Sequence, residues 1–361
     1  MKKLVIHVGP GKCGSSSIQS FFKVNKKPCL EKVNFNLMKI KDIDNLNVEE
    51  LSKDLIEYYT RFLKTNIKKF DVLIISHEYL FQCPLAIKQL CSLGDGLSIE
   101  TCIIGYSRRQ SDFIISAYAQ WIFRSKDVIQ EVNEILHSNN INPILFDGLE
   151  KTIIAAIIAD FKIAKSLFKI DIFNWNASYK NIKTLTLKYK TSVKSGTLPK
   201  LHDKVNLIED FCLKANITLK DSSNEKTGIR DNTKFHPMLV EGIHNAVSYK
   251  DDVIGVHSNN DVLISISNIM SGLDLDESEF MSLLKSYVDS CFLDSNKCFC
   301  DEFDINALYF EIETLVKKDF IIKCIREEQQ RRANGQSTLE NYKKLSALLV
   351  TTCLQLKMSS K

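Results

Sequence analysis

Lys12 stands inside a run of small and hydroxyl-bearing residues, Gly9-Pro10-Gly11-Lys12-Cys13-Gly14-Ser15-Ser16-Ser17. That combination suits the capture of an anion. Glycines let the backbone curl until successive N–H groups point at one centre. The lysine adds a charge, the serines add hydroxyl donors, and a helix start adds its partial positive charge. Upstream, Leu4, Val5, Ile6 and Val8 read as a buried strand, and a helical pattern begins after Gly14. Strand, glycine turn, lysine and helix start make a phosphate-binding loop.

The run departs from the nucleoside-triphosphatase loop in a telling way. That loop requires a glycine five residues before the Gly-Lys pair and a Ser or Thr directly after the lysine, the latter to hold Mg²⁺. Here those positions carry Ile6 and Cys13. A loop that holds an anionic nucleotide without Mg²⁺ fits better than a kinase or ATPase loop.

With that order of residues, the run resembles the 5′-phosphosulfate loop of sulfotransferases that use 3′-phosphoadenosine-5′-phosphosulfate (PAPS). The resemblance extends to a second segment, Ser107 to Tyr118, which follows an apolar strand-like run at Thr101 to Gly105. In that family an arginine at a strand end and a serine eight residues later grip the 3′-phosphate. Arg108 and Ser116 stand at this separation, with Arg109 as the alternative arginine. A guanidinium forks onto phosphate oxygens. A serine two turns into the next helix reaches the same anion when the arginine sits just before that helix.

A third strand is expected at Val72 to Ile75, with Ser76-His77-Glu78 at its end. Ligands of open parallel sheets sit beyond the carboxyl ends of the strands, so His77 and Glu78 belong near the Lys12 loop on topology alone. The family needs a base for the acceptor's proton, and its bacterial-type members often read Ser-x-Glu here. Glu78 is therefore the first candidate and His77, with a pKa near neutrality, the second. Neighbours at a strand end point to opposite sides, so one of the two is expected to face the acceptor.

The resemblance implies a sulfuryl transfer from PAPS, as co-substrate, to a hydroxyl or amine of a carbohydrate or glycan-precursor acceptor. Lys12 would stabilise the leaving nucleotide. Gly11, Lys12, Cys13, Gly14, Ser15, Ser16 and Ser17 would cradle its 5′ end, with Arg108 and Ser116 on the 3′-phosphate and no metal required. Two other classes compete: a P-loop nucleotide kinase or NTPase, and a catalytically inactive nucleotide-binding relative. Aromatics near the second segment (Tyr118, Trp121, Phe123) could stack on a sugar, although their helical spacing favours core packing.

Composition sets bounds around these sites. The chain has 361 residues, 44% hydrophobic and 25% charged, enough for a large α/β domain. A net charge of +4 makes no case for nucleic acid. No apolar stretch reaches membrane-spanning length, and the run after Met1-Lys2-Lys3 is too short for a secretory leader, which points to a cytoplasmic protein. Eleven scattered cysteines, an odd number, argue against a disulfide framework. Cys291, Cys298 and Cys300 lack the spacing of a zinc knuckle.

The expected fold class is α/β: a P-loop-type parallel sheet flanked by helices, with a mainly helical C-terminal extension. The domain boundary is expected at residues 1–255 and 256–361. A long helix is expected over Leu149 to Phe168, strands over Ile170 to Trp175 and Thr184 to Tyr189, and an amphipathic helix over Asp203 to Ala215. Asn232 to Pro237 is similar to a late family segment, where Arg230 and Lys234 are either further phosphate contacts or solvated loop charges. Ile321 to Leu356 reads as two helices broken near Arg331 to Gly335, a hairpin that packs on the catalytic domain or on a second copy as a homodimer.

Overall fold

Central parallel strands are covered on both faces, so they read as continuous apolar runs rather than alternating ones. Three runs of this kind form the middle of the sheet. β1 (Lys3–His7) lies between β3 (Val72–Ser76) and β4 (Glu100–Ser107), and every residue of β1 is buried. β2 (Val33–Leu37) flanks β3, and β5 (Thr191–Thr197) flanks β4. The order is β2-β3-β1-β4-β5, and all pairings are parallel. The computed structural model describes residues 2–24, 32–120, 122–164, 170–198, 206–218, 235–249, 265–267, 277–334, 343, 346–347 and 349–350.

The helices are α1 (Ser15–Val24), α2 (Ile40–Leu46), α3 (Lys53–Lys69), α4 (Pro84–Gly96), α5 (Gln110–Gln120), α6 (Lys126–Ser138), α7 (Gly148–Ile158), α8 (Trp175–Thr186), α9 (Leu207–Ala215), α10 (Pro237–Tyr249), α11 (Glu279–Cys291), α12 (Leu293–Phe303) and α13 (Lys318–Ala333). The fold is thus a parallel α/β sheet flanked by helices, with helices among the described residues beyond 235. No helix of the described residues is long and apolar enough to cross a membrane.

The chain forms two compact units. The first comprises Met1–Arg108, Ile170–Asp231 and Asp294–Tyr309 and contains the sheet. The second comprises Arg109–Lys169, Asn232–Leu293 and Phe310–Lys361. The boundary expected at 255 lies outside the described residues. Within the second unit α7 is buried along most of its length and starts with a capping box, Asp147 accepting from the Glu150 amide and Glu150 from the Asp147 amide. The Glu150 carboxylate also takes a forked pair from Arg332 on α13, at 2.7 and 2.9 Å.

Two expected strands are absent: residues 170–174 are irregular and lead into α8, and residues 184–189 are the end of α8 and the turn after it. At Ile170 to Trp175, Asp171 Oδ1 accepts from the amides of Phe173 and Asn174, and Asn174 caps α8 by accepting from Ala177. Local side-chain bonds of this sort replace a ladder with a helix start. Thr184 to Thr186 close α8, with Thr186 Oγ1 donating to the Ile182 carbonyl. The strand of this region is β5, whose polar composition hides it from an apolar-run reading. The helix expected over Leu149 to Phe168 stops at Ile158, and Asp160 and Phe161 follow in left-handed conformations. α9 begins at Leu207, capped by Asn206. Arg230, Lys234 and most of the second half of the expected C-terminal hairpin lie outside the described residues.

Gly105, in the middle of β4, has no room for a side chain. A Cβ there would overlap both the Tyr179 hydroxyl of α8 and the carbonyl of Val8. Gly105→Ala is expected to lower unfolding stability by roughly 1–3 kcal/mol through overpacking, read as a reduced urea midpoint. An unchanged midpoint would mean that the strand can shift away from α8.

Candidate anion site beyond the β1 strand

The order β2-β3-β1-β4-β5 reverses direction around β1. The loops after β1, β3 and β4 therefore open side by side at the carboxyl edge of the sheet, the usual position of a ligand crevice. Register sharpens this: His7 pairs with Ser76 on one side and Ile104 on the other. Val8 still bonds to the Ile104 carbonyl at 2.8 Å, and then the chain leaves the sheet.

The loop itself is built by conformation and crowding. The Cys13 amide closes a turn onto the Pro10 carbonyl at 3.3 Å. Lys12 has φ 72° and Gly14 φ 91°, so two of three consecutive residues are left-handed. Only glycine takes that region freely, and a lysine there stores about 1–3 kcal/mol of backbone strain. Gly14 is constrained further, since a Cβ would come 2.5 Å from Leu207 and 2.9 Å from Leu198. Turns that mix left- and right-handed residues aim their amides at one point. α1 starts directly afterwards, with Ile18 bonded to the Gly14 carbonyl.

The charges gather on this loop. Arg108, at the end of β4, donates from Nη1 to the Lys12 carbonyl at 3.2 Å. Its own carbonyl accepts from the indole N–H of the fully buried Trp175 at 2.8 Å, which fixes the backbone at the strand end. Arg108 Nε is buried without a hydrogen-bond partner among the described residues. Burial lowers the Lys12 ammonium to about 8, Glu78 and Cys13 raise it, and the Arg108 charge lowers it again. Burial pushes the Cys13 thiol up to about 12, against the pull of Arg108 and Lys12. Cys13 is therefore a neutral, buried thiol, and it offers no hydroxyl for Mg²⁺.

Ser15 is buried and Ser16 and Ser17 half-buried at the start of α1. Glu78 is exposed and opens a 3-10 turn, Glu78–Gln82. His77 caps that turn, its Nδ1 accepting from the Tyr79 amide at 3.0 Å. Burial lowers the His77 pKa and Glu78 raises it.

The structure thus brings Lys12, Cys13, Arg108 and Glu78 into one electrostatic neighbourhood, with Gly11, Gly14 and the serines on the same loop. Arg109 has other commitments within the second unit, an ion pair with Asp289 at 3.8 Å and a bond to the Glu311 carbonyl at 2.8 Å. Ser116 is half-buried on α5 and belongs to that unit. Tyr118 and Phe123 are buried there, Tyr118 donating to Glu241 at 3.1 Å, so both are core residues. Trp121 lies outside the described residues. Among the described residues no group of three or more His, Cys, Asp or Glu side chains is placed to hold a metal ion. Sequence reasoning missed Trp175 and the polar trio of buried His7 and Ser76 with half-buried Gln19. A histidine ending an otherwise apolar strand was the available signal.

No family model matches the chain, and no curated protein matches it. Among solved structures, a sulfotransferase from Alicyclobacillus acidocaldarius is similar at 13% identity, over 70% of this chain and 93% of that one, with a TM-score of 0.34. The likeness is loose and assigns no activity.

A buried ammonium near 8 gives the site a pH signature. An anion needs Lys12 charged, so its binding is strongest below the Lys12 pKa and fades as pH rises through it. Pyrophosphate affinity is expected to fall about fivefold from pH 8 to pH 9, where most of the lysine is neutral. In Lys12→Arg the profile should stay flat to pH 9, since guanidinium keeps its proton. Calorimetric titration across this range checks both, and a flat wild-type profile would remove Lys12 from the anion site.

Proposed function

We propose that the protein is a PAPS-dependent sulfotransferase, moving a sulfuryl group to a hydroxyl or amine of a carbohydrate acceptor. The observation that carries this reading is the Lys12 loop. It combines a left-handed, partly desolvated lysine, an arginine bonded to that lysine's carbonyl, a carboxylate whose charge acts on the lysine, and a buried neutral thiol at the position where a triphosphatase needs its Mg²⁺ hydroxyl. The unpartnered Arg108 Nε supplies a further buried donor suited to a phosphate.

PAPS would bring a sulfuryl group already activated by its bond to a nucleotide phosphate. The protein's part is positioning and charge neutralisation, as in phosphoryl transfer. Lys12 would stabilise the negative charge that grows on the bridging oxygen as the S–O bond breaks. The Gly11 to Ser17 backbone and hydroxyls hold the 5′ end, and Arg108 the 3′-phosphate. Ser116 joins Arg108 in this reading on sequence grounds. Glu78 takes the acceptor's proton. His77 serves less well, because its Nδ1 already accepts from Tyr79 and its remaining ring nitrogen then carries the proton. The carbohydrate acceptor rests on the sequence resemblance.

Transfer of ³⁵S from labelled PAPS to a panel of sugar acceptors tests the reading. Lys12→Ala is expected to cut turnover about 10²- to 10³-fold, as for loss of one stabiliser of developing charge. Glu78→Gln should lower turnover with little change in nucleotide affinity. Full activity in Lys12→Ala would contradict the assignment.

A further inference from the structure

Beneath the loop lies a polar trio, buried His7 and Ser76 with half-buried Gln19, that the proposed chemistry does not use. His7, the last residue of β1, is fully buried, and its Nδ1 lies 2.8 Å from Ser76 Oγ at the end of β3. The same hydroxyl accepts from Gln19 Nε2 of α1 at 3.3 Å. After accepting from Gln19 the Ser76 hydroxyl can either donate to His7 Nδ1 or accept from it. The relay requires the first, with the imidazole proton on Nε2, an atom that has no hydrogen-bond partner among the described residues. Burial alone lowers the His7 pKa to about 3, so the ring is neutral throughout the working range and is no base. Its other neighbours fix it in place: the Phe211 ring meets it edge-on at 5.4 Å, and Nε2 and Ser15 Oγ both border the space beneath Gly9, where a Cβ would lie 3.5 and 2.5 Å from them.

What the trio holds is the two-residue path to Glu78. Ser76 is tied through its hydroxyl to β1 and α1, and its carbonyl accepts from Met38 at 3.2 Å. The next amide, His77, bonds to the His7 carbonyl at 3.4 Å, and His77 Nδ1 then caps the turn that starts at Glu78. The loop-bearing strand and helix are thereby joined to the segment carrying the carboxylate.

We propose that Gln19, Ser76 and His7 form a hydrogen-bond relay that sets the position of Glu78 relative to Lys12, with His7 a positioning residue acting through Nδ1. The importance of that position rests on the function proposed above, but the relay itself can be tested without nucleotide. If Ser76 or the Nδ1 acceptor is lost, two buried polar groups lose their partners, the strand end relaxes, and Glu78 no longer bears on the Lys12 charge.

The test is NMR on the full chain. In the wild type, ¹⁵N imidazole shifts should give His7 as the Nε2–H tautomer from pH 5 to pH 8. The titration of Lys12, its resonance assigned by loss in Lys12→Arg, should move to lower pH in Glu78→Gln, because Glu78 raises it. Ser76→Ala and His7→Gln, whose amide reaches toward the Nε2 position, should move it the same way, a severalfold loss of proton affinity. His7→Asn, whose amide oxygen stands near the Nδ1 position, should restore the wild-type midpoint. An Nδ1–H tautomer overturns the relay, and so does a Ser76→Ala midpoint equal to wild type, an unmoved midpoint in Glu78→Gln, or rescue by Gln rather than Asn. The tautomer is read on wild-type protein and does not depend on a variant folding. Failure of the wild type to bind 3′-phosphoadenosine-5′-phosphate would remove the proposed function and leave these outcomes to decide the relay.

Discussion

The site depends on two cations placed against one short loop inside the edge of the sheet. Arg108 donates to the carbonyl of Lys12, and its charge acts on the Lys12 ammonium, which burial has already deprived of water. Left alone, such an arrangement is unfavourable, and the lowered Lys12 pKa expresses that cost. Glu78 offsets part of it. A bound anion would offset more, because amides, ammonium and guanidinium are already oriented and need little reorganisation on binding. The left-handed backbone at Lys12 is a second cost held in the same place, and strain of this kind persists only where the surroundings enforce it. Leu198 and Leu207 do so from the side, by leaving no space at Gly14.

Topology explains why distant segments meet here. The chain passes from β3 to β4 across β1, so residues 12, 78 and 108 come together from three separate strand ends. Each segment is locked by a different bond: Lys12 through its carbonyl to Arg108, Arg108 through its carbonyl to Trp175, and Ser76 through its hydroxyl to His7 and Gln19. Precision at the site comes from these buried attachments, since Glu78 itself is exposed and its turn is short.

Much of this was legible in the sequence because central parallel strands carry an unbroken apolar signal. The runs at Leu4, Val72 and Thr101 became β1, β3 and β4, and the chemistry-bearing residues follow each within a few positions. The edge strands were not legible. β2 and β5 carry asparagine, serine, lysine and threonine, since an edge position demands less burial. Ile170 to Trp175 gave the opposite error: its apolar residues suggested a strand, while Asp171 bonds locally and Asn174 caps the helix that starts at Trp175. The division of Arg108 and Arg109 between loop and second unit could not be read from two adjacent arginines, because only their partners differ. The role of His7 was equally hidden, as its partners come from residues 19 and 76.

The central claim is that this loop holds a 3′-phosphorylated nucleotide without metal. Isothermal titration with 3′-phosphoadenosine-5′-phosphate, with and without Mg²⁺ and beside Mg-ATP, measures it most directly. The account requires metal-independent binding to the wild type, weakened about 10- to 100-fold in Arg108→Ala, as for loss of a charged hydrogen-bond donor. Absence of binding, or a preference for Mg-ATP, would contradict it and return the Lys12 loop to the broader class of phosphate-binding loops.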